Sequence, residues 1–395
     1  MKIKNYSPII IFVLILILIL TFTACENDRR DGSFERPYLI RGTWDLQKIG
    51  SGDYGLDDYY ELDQSITLHS ENFKPAGDEN RPFNGTIWGN GHYINIEIDI
   101  EANSEYGGLL GYIGNEGKVK DLRLQGQLSG GTKYTGLIAG VNEGTIRNIR
   151  YGNRQENGEP FGSGDIEGYG TTGGIVGKNM GLIKQCLTTE GGLYGGFELT
   201  EDNSNGGTGG IAGYNKEGKI EQTFSGITVH GNDNTGSLVG YDKDGVIKNS
   251  YANLTVNINE KLSPKNLGLF IGKSEDSTIK NSYSGGPSSY FNNVDSEENV
   301  GTFIGHLVIN EKVSELHNCI RIINEEKNSK NNNPIGNIST NGRNIENIKI
   351  IELTEENMQI PNSFSENGFD FEDIWTKDSK FQHYPLLNWE LDHLE

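Results

Sequence analysis

The chain has 395 residues, of which 55 are acidic, 34 are basic, 54 are glycine and three are cysteine, and its net charge is −21. This charge argues against a nucleic-acid partner, because phosphate binding requires a basic surface, and against electrostatic attachment of the folded body to an anionic membrane. Three cysteines cannot form a disulfide framework, so packing and hydrogen bonds must stabilise the fold. Of the 54 glycines, 36 lie between Tyr106 and Gly245, which indicates either low complexity or a repeat.

The first 24 residues have the layout of a secretory signal peptide. Two lysines precede a run from Ile9 to Phe22 that is apolar except for Thr21, and small residues follow it. As a helix this run would rise about 21 Å, which is too short for a hydrocarbon core of about 30 Å. The sequence Thr-Ala-Cys at its end resembles the lipobox of bacterial lipoproteins. That resemblance implies lipidation of Cys25 and removal of residues 1–24.

Residues 25–37 are polar and charged, and they contain few large apolar groups. Such a segment cannot bury enough surface to offset the entropy of ordering, so it is predicted to be a flexible tether. With a lipid on Cys25, the folded body is expected to be held outside the cytoplasmic membrane by acyl chains. The membrane is therefore an expected partner, and the expected location is the cell envelope, at the outer membrane or the cell surface.

A repeat with two parts organises residues 106–320. Its first part is a short apolar strand between glycines, and its second is a strand that follows a polar turn. The first part occurs seven times, as GGLLG, GLIAG, GGIVG, GGIAG, GSLVG, GLFIG and GTFIG, beginning at Gly107, Gly136, Gly173, Gly209, Gly236, Gly268 and Gly301. Three or four apolar residues are too few for a helix and suit a buried strand. Because one such unit cannot cover its own apolar face, the copies must stack.

The stacked copies predict an all-β fold, a right-handed parallel β-helix or β-solenoid with about seven coils spaced about 4.8 Å apart. One apolar position recurs in the second strand and is predicted to form a vertical column inside the stack: Val119, Ile146, Ile183, Ile220, Ile247, Ile279 and Leu316. Three positions further on lies a second inward column of small or apolar residues: Leu122, Ile149, Cys186, Thr223, Ser250, Ser282 and Cys319. Four coils separate Cys186 from Cys319, too far for a disulfide, so both are predicted to be buried free thiols.

Polar residues follow each glycine-flanked strand and are predicted to lie in a turn, where Asn and Asp tolerate left-handed backbone angles. They include Asn142, Asn179, Asn215 and Asp242. The segments 202–206 and 242–245 resemble fragments of calcium loops, but neither has the full spacing or the terminal glutamate. The histidines and cysteines show no metal-ligand spacing and no nucleophile motif occurs. No metal, cofactor or catalytic residue is therefore expected.

The repeat resembles the GLUG-motif family over about residues 85–320. The segment PFNGTIWGNGHYI, beginning at Pro82, is similar to a segment that precedes the repeats in that family, with Trp88 where the family usually has aspartate. The FDF sequence before Trp375 and the YPLL sequence from Tyr384 resemble its closing segment. The predicted organisation is an N-terminal cap with the first coils (38–105), the repeats (106–320), an exposed Asn-rich loop (321–345) and a C-terminal cap (346–395). A helix is expected at Thr43 to Ile49 in the first cap.

Two sets of aromatic residues form the candidate ligand-binding surface. Phe224, Tyr251 and Tyr283 each follow the second inward column by one residue. Each residue of the other set follows a repeat glycine: Tyr112, Tyr214 and Tyr241. Aromatic ladders along a solenoid can bind sugars or peptides by stacking, and such rings can also simply stack on one another. Both interpretations stay open.

The resemblance implies a place among bacterial surface proteins and adhesins. We therefore expect a non-enzymatic binding or adhesion module, with a host or bacterial surface glycan or protein as partner. The alternative is a glycan-binding or glycan-processing component of a surface uptake system. Some β-helix enzymes cleave polysaccharides with Asp or Glu on one strand face, but no acidic column recurs here. Members of the family also accompany secreted IgA-cleaving peptidases, although this chain contains no peptidase motif.

Overall fold

The computed structural model describes residues 30–152, 164–196, 206–253, 256–258, 265–285, 291–292, 299–312, 314–323, 333–342, 347–377 and 384–391. The predicted signal peptide and Cys25 lie outside these residues. Within them the chain winds into a parallel β-solenoid built on three sheets. The predicted fold class is confirmed.

Sheet A is the largest sheet of the described residues, with 19 strands among them, and it contains the second part of every repeat. Its strands are all paired in parallel with their neighbours. In chain order they are Tyr38–Ile40, Tyr59–Leu62, Ile66–Phe73, Thr86–Trp88, Tyr93–Ile100, Lys118–Ser129, Thr145–Tyr151, Ile166–Glu167, Leu182–Tyr194, Lys219–Glu221, Phe224–Gly231, Val246–Lys248, Tyr251–Ala252, Val256–Ile258, Thr278–Lys280, Tyr283–Ser284, Phe291–Asn292, Glu315–Ile323 and Ile348–Thr354.

Sheets B and C are formed by the glycine-flanked part of the repeat. In the described part of the chain, sheet B has eight parallel strands: Leu110–Ile113, Ala139–Asn142, Val176–Asn179, Ala212–Lys216, Val239–Lys243, Ile271–Glu275, Ile304–Ile309 and Ile335–Thr340. Sheet C has seven strands in the same residues: Tyr106–Gly107, Tyr134–Thr135, Thr171–Gly173, Thr208–Gly209, Thr235–Gly236, Leu267–Gly268 and Val300–Gly301. Each of the seven repeats thus contributes one strand to each of these sheets, and Ile335–Thr340 adds a further strand to sheet B.

Short helices lie near the two ends, at Thr43–Lys48, Glu355–Met358, Pro361–Ser365 and Asn388–Leu391. The first agrees with the helix predicted in the N-terminal cap. An antiparallel pair, Trp375–Thr376 and Leu386–Leu387, stands apart from the solenoid sheets. Within the part of the chain that the structure describes, no helix is both long and apolar enough to cross a bilayer.

The predicted inward columns are confirmed. Ile146 is paired with Val119 on one side and with Ile183 on the other, and the same register continues through Ile279 to Leu316. All members of this column are buried. The register also extends beyond the predicted repeats: Tyr60, Ile87 and Ile348.

The two predicted thiols are free and fully buried. Burial raises the pKa of the Cys186 thiol to about 12, because the charged thiolate would lose its hydration. Cys186 and Cys319 therefore act as small apolar side chains in the core.

Two glycines in each repeat allow sheet B to pack directly on sheet C. A Cβ atom at Gly213 in sheet B would lie 2.8 Å from the backbone oxygen of Gly207 and 2.8 Å from the backbone nitrogen of Thr172. A Cβ atom at Gly173 in sheet C would lie 2.7 Å from the backbone nitrogen of Gly213. All three distances are too short for a Cβ atom to fit without a shift of the backbone. Close backbone approach is therefore the reason for the repeated glycines.

The segment predicted as an exposed Asn-rich loop, 321–345, is partly strand. Ile335–Thr340 pairs with Ile304–Ile309 as the eighth strand of sheet B, and residues 321–323 belong to a sheet A strand. Gly336 provides the same close contact as the repeat glycines, since a Cβ atom there would lie 2.4 Å from the nitrogen of Val300. The strand Ile348–Thr354, assigned to the C-terminal cap, pairs in sheet A. The stack therefore continues past residue 320.

The prediction that Asn142, Asn179, Asn215 and Asp242 occupy a left-handed turn is wrong. These four residues are the last or next-to-last residues of sheet B strands and are fully buried. Their side chains are linked from coil to coil by hydrogen bonds of 2.6 to 2.8 Å. The buried polar groups need partners, and the neighbouring coils supply them. Left-handed residues instead form a corner within sheet A: Asp121, Asn148, Gln185, Gln222, Asn249, Asn281 and Asn318.

Candidate functional site

The first predicted aromatic set lies beneath residues 358–377 and 384–391, which are called the C-terminal segment. Phe224, Tyr251 and Tyr283 form a parallel stack, with ring centroids 4.2 and 4.8 Å apart. Their side chains are 9%, 2% and 0% exposed. The Trp375 ring lies 5.6 Å from that of Tyr283, and the Tyr251 hydroxyl donates a 2.9 Å hydrogen bond to Glu390. The C-terminal segment thus occupies the face on which a ligand would have to stack.

The expectation that this column binds ligands at the surface is therefore corrected. Its rings belong to a second apolar core that includes Phe364, Phe369, Trp375 and Leu387. Replacing Tyr251 and Tyr283 by alanine would remove packing beneath the C-terminal segment. The stacking interpretation, left open by the sequence, is the one that the structure supports.

The second aromatic set shares one column of sheet B but is not continuous. Tyr214 is stacked on Tyr241, with ring centroids 5.0 Å apart. Between Tyr112 and Tyr214 the column contains Val141 and Lys178. The three tyrosine side chains are at most 8% exposed, so each offers little ring surface to a ligand.

Polar contacts hold the hydroxyl groups of Tyr112 and Tyr241 in this second set. The Tyr112 hydroxyl donates to Glu143 at 2.6 Å, and the Tyr241 hydroxyl donates to Glu275. Lys243 lies 2.9 Å from the same carboxylate. Although burial alone raises the pKa of Glu275, the hydrogen bonds from Tyr241 and Lys243 lower it to about 2. Glu275 is therefore a paired carboxylate rather than a proton donor at neutral pH.

A basic surface lies on the outer side of sheet A, on the strands whose inner side forms the first apolar column. Side chains alternate along a strand, so the two neighbours of each inward residue face outward. Seven of these outward positions carry Lys or Arg, and together they are called the basic face: Lys118, Lys120, Arg147, Lys184, Lys219, Lys248 and Lys280. Two outward positions of the same strands carry glutamate, Glu221 and Glu315. In a chain of net charge −21, this is a local reversal of sign.

One column of the basic face is almost continuous. It is called the basic row and consists of Lys120, Arg147, Lys184, Glu221, Lys248, Lys280 and His317, paired in register from coil to coil. Trp88 precedes Lys120 in the same register. Because neighbouring strands are about 4.8 Å apart, the row spans about 29 Å along the solenoid.

The row is only partly neutralised by its surroundings. Lys184 lies 3.7 Å from Glu221, and Lys280 lies 3.2 Å from Glu315. Arg147 donates to the Gln185 amide oxygen at 3.0 Å. Within the described residues, Lys120, Arg147 and Lys248 have no carboxylate at ion-pair distance.

Exposed aromatic rings lie at the first-coil end of the row. Trp88 is 38% exposed, and the Lys120 ammonium lies 5.0 Å from its ring centroid. In the neighbouring outward column, Tyr93 is 45% exposed and pairs in register with Arg123, which pairs with Arg150. This end of the solenoid therefore presents rings and cations on one surface.

Among the described residues, no group of three or more His, Cys, Asp and Glu side chains is arranged to hold a metal ion. Asp242 is buried in the sheet B ladder, and Asp244 pairs with Lys312. Of the other calcium-like segment, residues 202–205 lie outside the described residues.

The sequence contains the signal for the basic face, although reading it for apolar columns alone misses it. The strings KVK, TIR, LIK, KIE, VIK and TIK each place the inward residue between two outward ones. Once the inward column is predicted, period-2 alternation predicts which side chains face solvent. The covering of Phe224, Tyr251 and Tyr283 by the C-terminal segment has no such local signal, because it depends on residues more than 100 positions away in the sequence.

No protein-family model matches the chain. Halomucin of Haloquadratum walsbyi is 32% identical over 158 residues, which is 38% of this chain and 2% of that protein. A protein of Evansella cellulosilytica named "Putative Gly-rich membrane protein" is 31% identical over 128 residues, which is 30% of this chain and 15% of that protein. The chain thus matches only a small part of either relative.

A solved structure described as a "putative immunoglobulin A1 protease" from Bacteroides ovatus also resembles the chain. It is 16% identical, with a TM-score of 0.47, and the match covers 92% of this chain and 95% of that one.

Proposed function

We propose that the protein is a non-enzymatic binding module of the bacterial cell envelope, held by a lipid on Cys25 and presenting the basic face to its ligand. The observation that carries the proposal is the basic face itself, where successive coils present mainly cationic side chains in register. A surface of this kind suits an extended partner, because repeated units on a ligand can contact repeated units on the solenoid.

Several further features support a place in the envelope. The chain begins with a signal-like segment that ends at a lipobox-like cysteine, and the repeat resembles a family found in bacterial surface proteins. One relative is named as a membrane protein, and halomucin is the name of the other. The proposed membrane contact is therefore the acyl chains on Cys25 rather than the acidic folded body.

The lipid anchor is tested with two cysteine variants in bacterial cells. Replacing Cys25 by serine should abolish incorporation of a labelled fatty acid and move the protein from the membrane fraction to the soluble fraction, because the acylated thiol is lost. Cys186→Ala is the matched control, since its thiol is buried in the solenoid, and this variant should keep both label and location. Retention of the label in Cys25→Ser would overturn the anchor.

Exposure and catalysis are tested separately. Protease treatment of intact cells should remove the protein if it faces outward, while a periplasmic marker stays intact.

Purified protein should bind envelope or host-surface glycans without releasing products over long incubation. Product formation would favour the alternative of a glycan-processing component.

A further inference from the structure

From the basic row we infer that the protein binds a linear polyanionic glycan, with one carboxylate or sulfate group of the glycan near each coil. The inference rests on the proposed binding function and names its ligand class. The row supplies six cationic or potentially cationic side chains and one glutamate in a single register. It runs along the solenoid axis because each member comes from a successive coil.

The spacing favours a glycan. Adjacent coils lie about 4.8 Å apart, and an extended glycan advances by a similar distance with each sugar. Measured along its axis, a polyuronate therefore carries its carboxylates at nearly the interval of the row. Each contact at a partly exposed cation of the row is weak, but a polymer that makes several contacts at once gains avidity.

The first-coil end of the row adds a second kind of contact. Trp88 and Tyr93 expose their rings beside Lys120 and Arg123. The apolar face of a sugar ring can pack on such an aromatic ring while its anionic group meets the neighbouring cation. This end should therefore hold the terminal sugars of the bound segment.

Nucleic acid matches the row less well. A duplex carries about one phosphate for each 1.7 Å of its axis and winds them around that axis, so a straight row meets only the few that face it. Single strands are usually held by successive aromatic rings. Along the described part of the row, exposed indole and phenol rings are confined to the end at Trp88 and Tyr93. The charge of the remaining chain opposes long polyanions that extend beyond the row.

The test measures binding of the purified protein to polygalacturonate, to heparin and to fully methyl-esterified polygalacturonate, which has the same backbone without charge. The two anionic polymers should bind and the esterified polymer should not, and binding should weaken as salt rises because counterions are released. Affinity for galacturonate oligomers should increase with length and level off near the length of the row, about 29 Å. Heparin carries sulfate groups in addition to carboxylates, so tighter binding of heparin than of polygalacturonate at matched charge concentration would indicate a preference for sulfate.

Paired variants assign the binding to the row. The double variant Lys248→Gln with Lys280→Gln should weaken polygalacturonate binding by about tenfold. The control, Lys74→Gln with Lys265→Gln, makes the same change in net charge at two exposed lysines away from the row and should change affinity less than twofold. Replacing the row's glutamate, Glu221→Gln, should strengthen binding about threefold. Circular dichroism and unfolding midpoints of all variants should match the parent, so that altered affinity reports on the surface.

Equal losses in the two double variants, or equal binding of the esterified polymer, would overturn the row as a polyanion site. Tighter binding of single-stranded or duplex DNA than of polygalacturonate at matched charge would replace the glycan by nucleic acid as the ligand. Absence of binding to all of these polymers would reject the inference. The acylation and cell-surface experiments would still decide the proposed envelope function independently.

Discussion

A ladder of buried asparagines ends at a carboxyl group inside the solenoid. The Asn142 amide donates to Asn179, and that of Asn179 to Asn215, both at 2.8 Å, and Asn215 then donates to Asp242 at 2.6 Å. An asparagine can accept from one coil and donate to the next, whereas a carboxylate can only accept. The Oδ2 atom of Asp242 and the hydroxyl of Ser274 in the following coil are buried without hydrogen-bond partners among the described residues. The ladder is therefore broken at Asp242.

Replacing Asp242 by asparagine should stabilise the protein at neutral and higher pH. Burial raises the pKa of Asp242 to about 7, so the folded protein retains a proton that the unfolded chain releases near pH 4. The parent should therefore lose stability from about pH 4 to about pH 7, since the unfolded state binds fewer protons over that range. At pH 8 the asparagine variant should have a free energy of unfolding about 2–4 kcal/mol higher than the parent.

Denaturant unfolding at pH 4 and pH 8 measures this difference. At pH 4 the two proteins should have similar stability, because the parent carboxyl group is then neutral. Asp244→Asn is the control, since Asp244 forms a surface ion pair with Lys312, and its effect should stay below about 1 kcal/mol. Equal free energies of unfolding for the parent and Asp242→Asn at pH 8 would contradict the destabilisation expected from burying this carboxylate.

Packing of sheet B on sheet C depends on backbone approach rather than on interlocking side chains. Replacing Gly213 by alanine should lower the free energy of unfolding by about 1–3 kcal/mol, because the new methyl group would lie 2.8 Å from atoms of Gly207, Thr171 and Thr172. Urea unfolding followed by circular dichroism measures the change. Gly42→Ala is the control, since nothing lies within 4 Å of a Cβ atom there and its backbone is extended.

The expected loss for the control is below about 1 kcal/mol. Similar midpoints for Gly213→Ala and the parent would mean that the two sheets can separate by the width of a methyl group. The repeated glycines would then have to be explained by chain entropy or folding kinetics instead of contact.

The stacked elements were predictable because their apolar period is local and repeats. Ile146, Ile183 and their equivalents recur within similar surroundings, so their vertical register follows from the sequence. The strand Ile335–Thr340 was not predicted, since it keeps the Ile-Gly end of the motif but lacks the first glycine. The position of the C-terminal segment was also not predictable, because its contacts, such as Tyr251 with Glu390, join residues 139 positions apart. No local pattern encodes such a contact.

Across the whole molecule, the charges are segregated. The chain carries a net charge of −21, yet the sheet A strands that hold the first inward column are mainly basic on their outer side. The net charge alone argues against polyanionic partners, and it misleads because the sum hides how the charges are distributed. A partner that contacts only the basic face experiences a local attraction, whereas one that covers the molecule is repelled.

This segregation predicts that salt acts in opposite directions on stability and binding. The Debye length falls from about 30 Å at 0.01 M to about 3 Å at 1 M ionic strength, so added salt should reduce repulsion among the excess acidic groups. Raising NaCl between these limits should increase the Tm by about 2 °C or more, while affinity for polygalacturonate falls. Calorimetry and binding measured on one preparation compare the two, and sucrose, which stabilises proteins without screening charge, provides the control. If Tm and affinity fell together as NaCl rose, salt would be destabilising the fold. The loss of binding could then no longer be attributed to screening of the basic face.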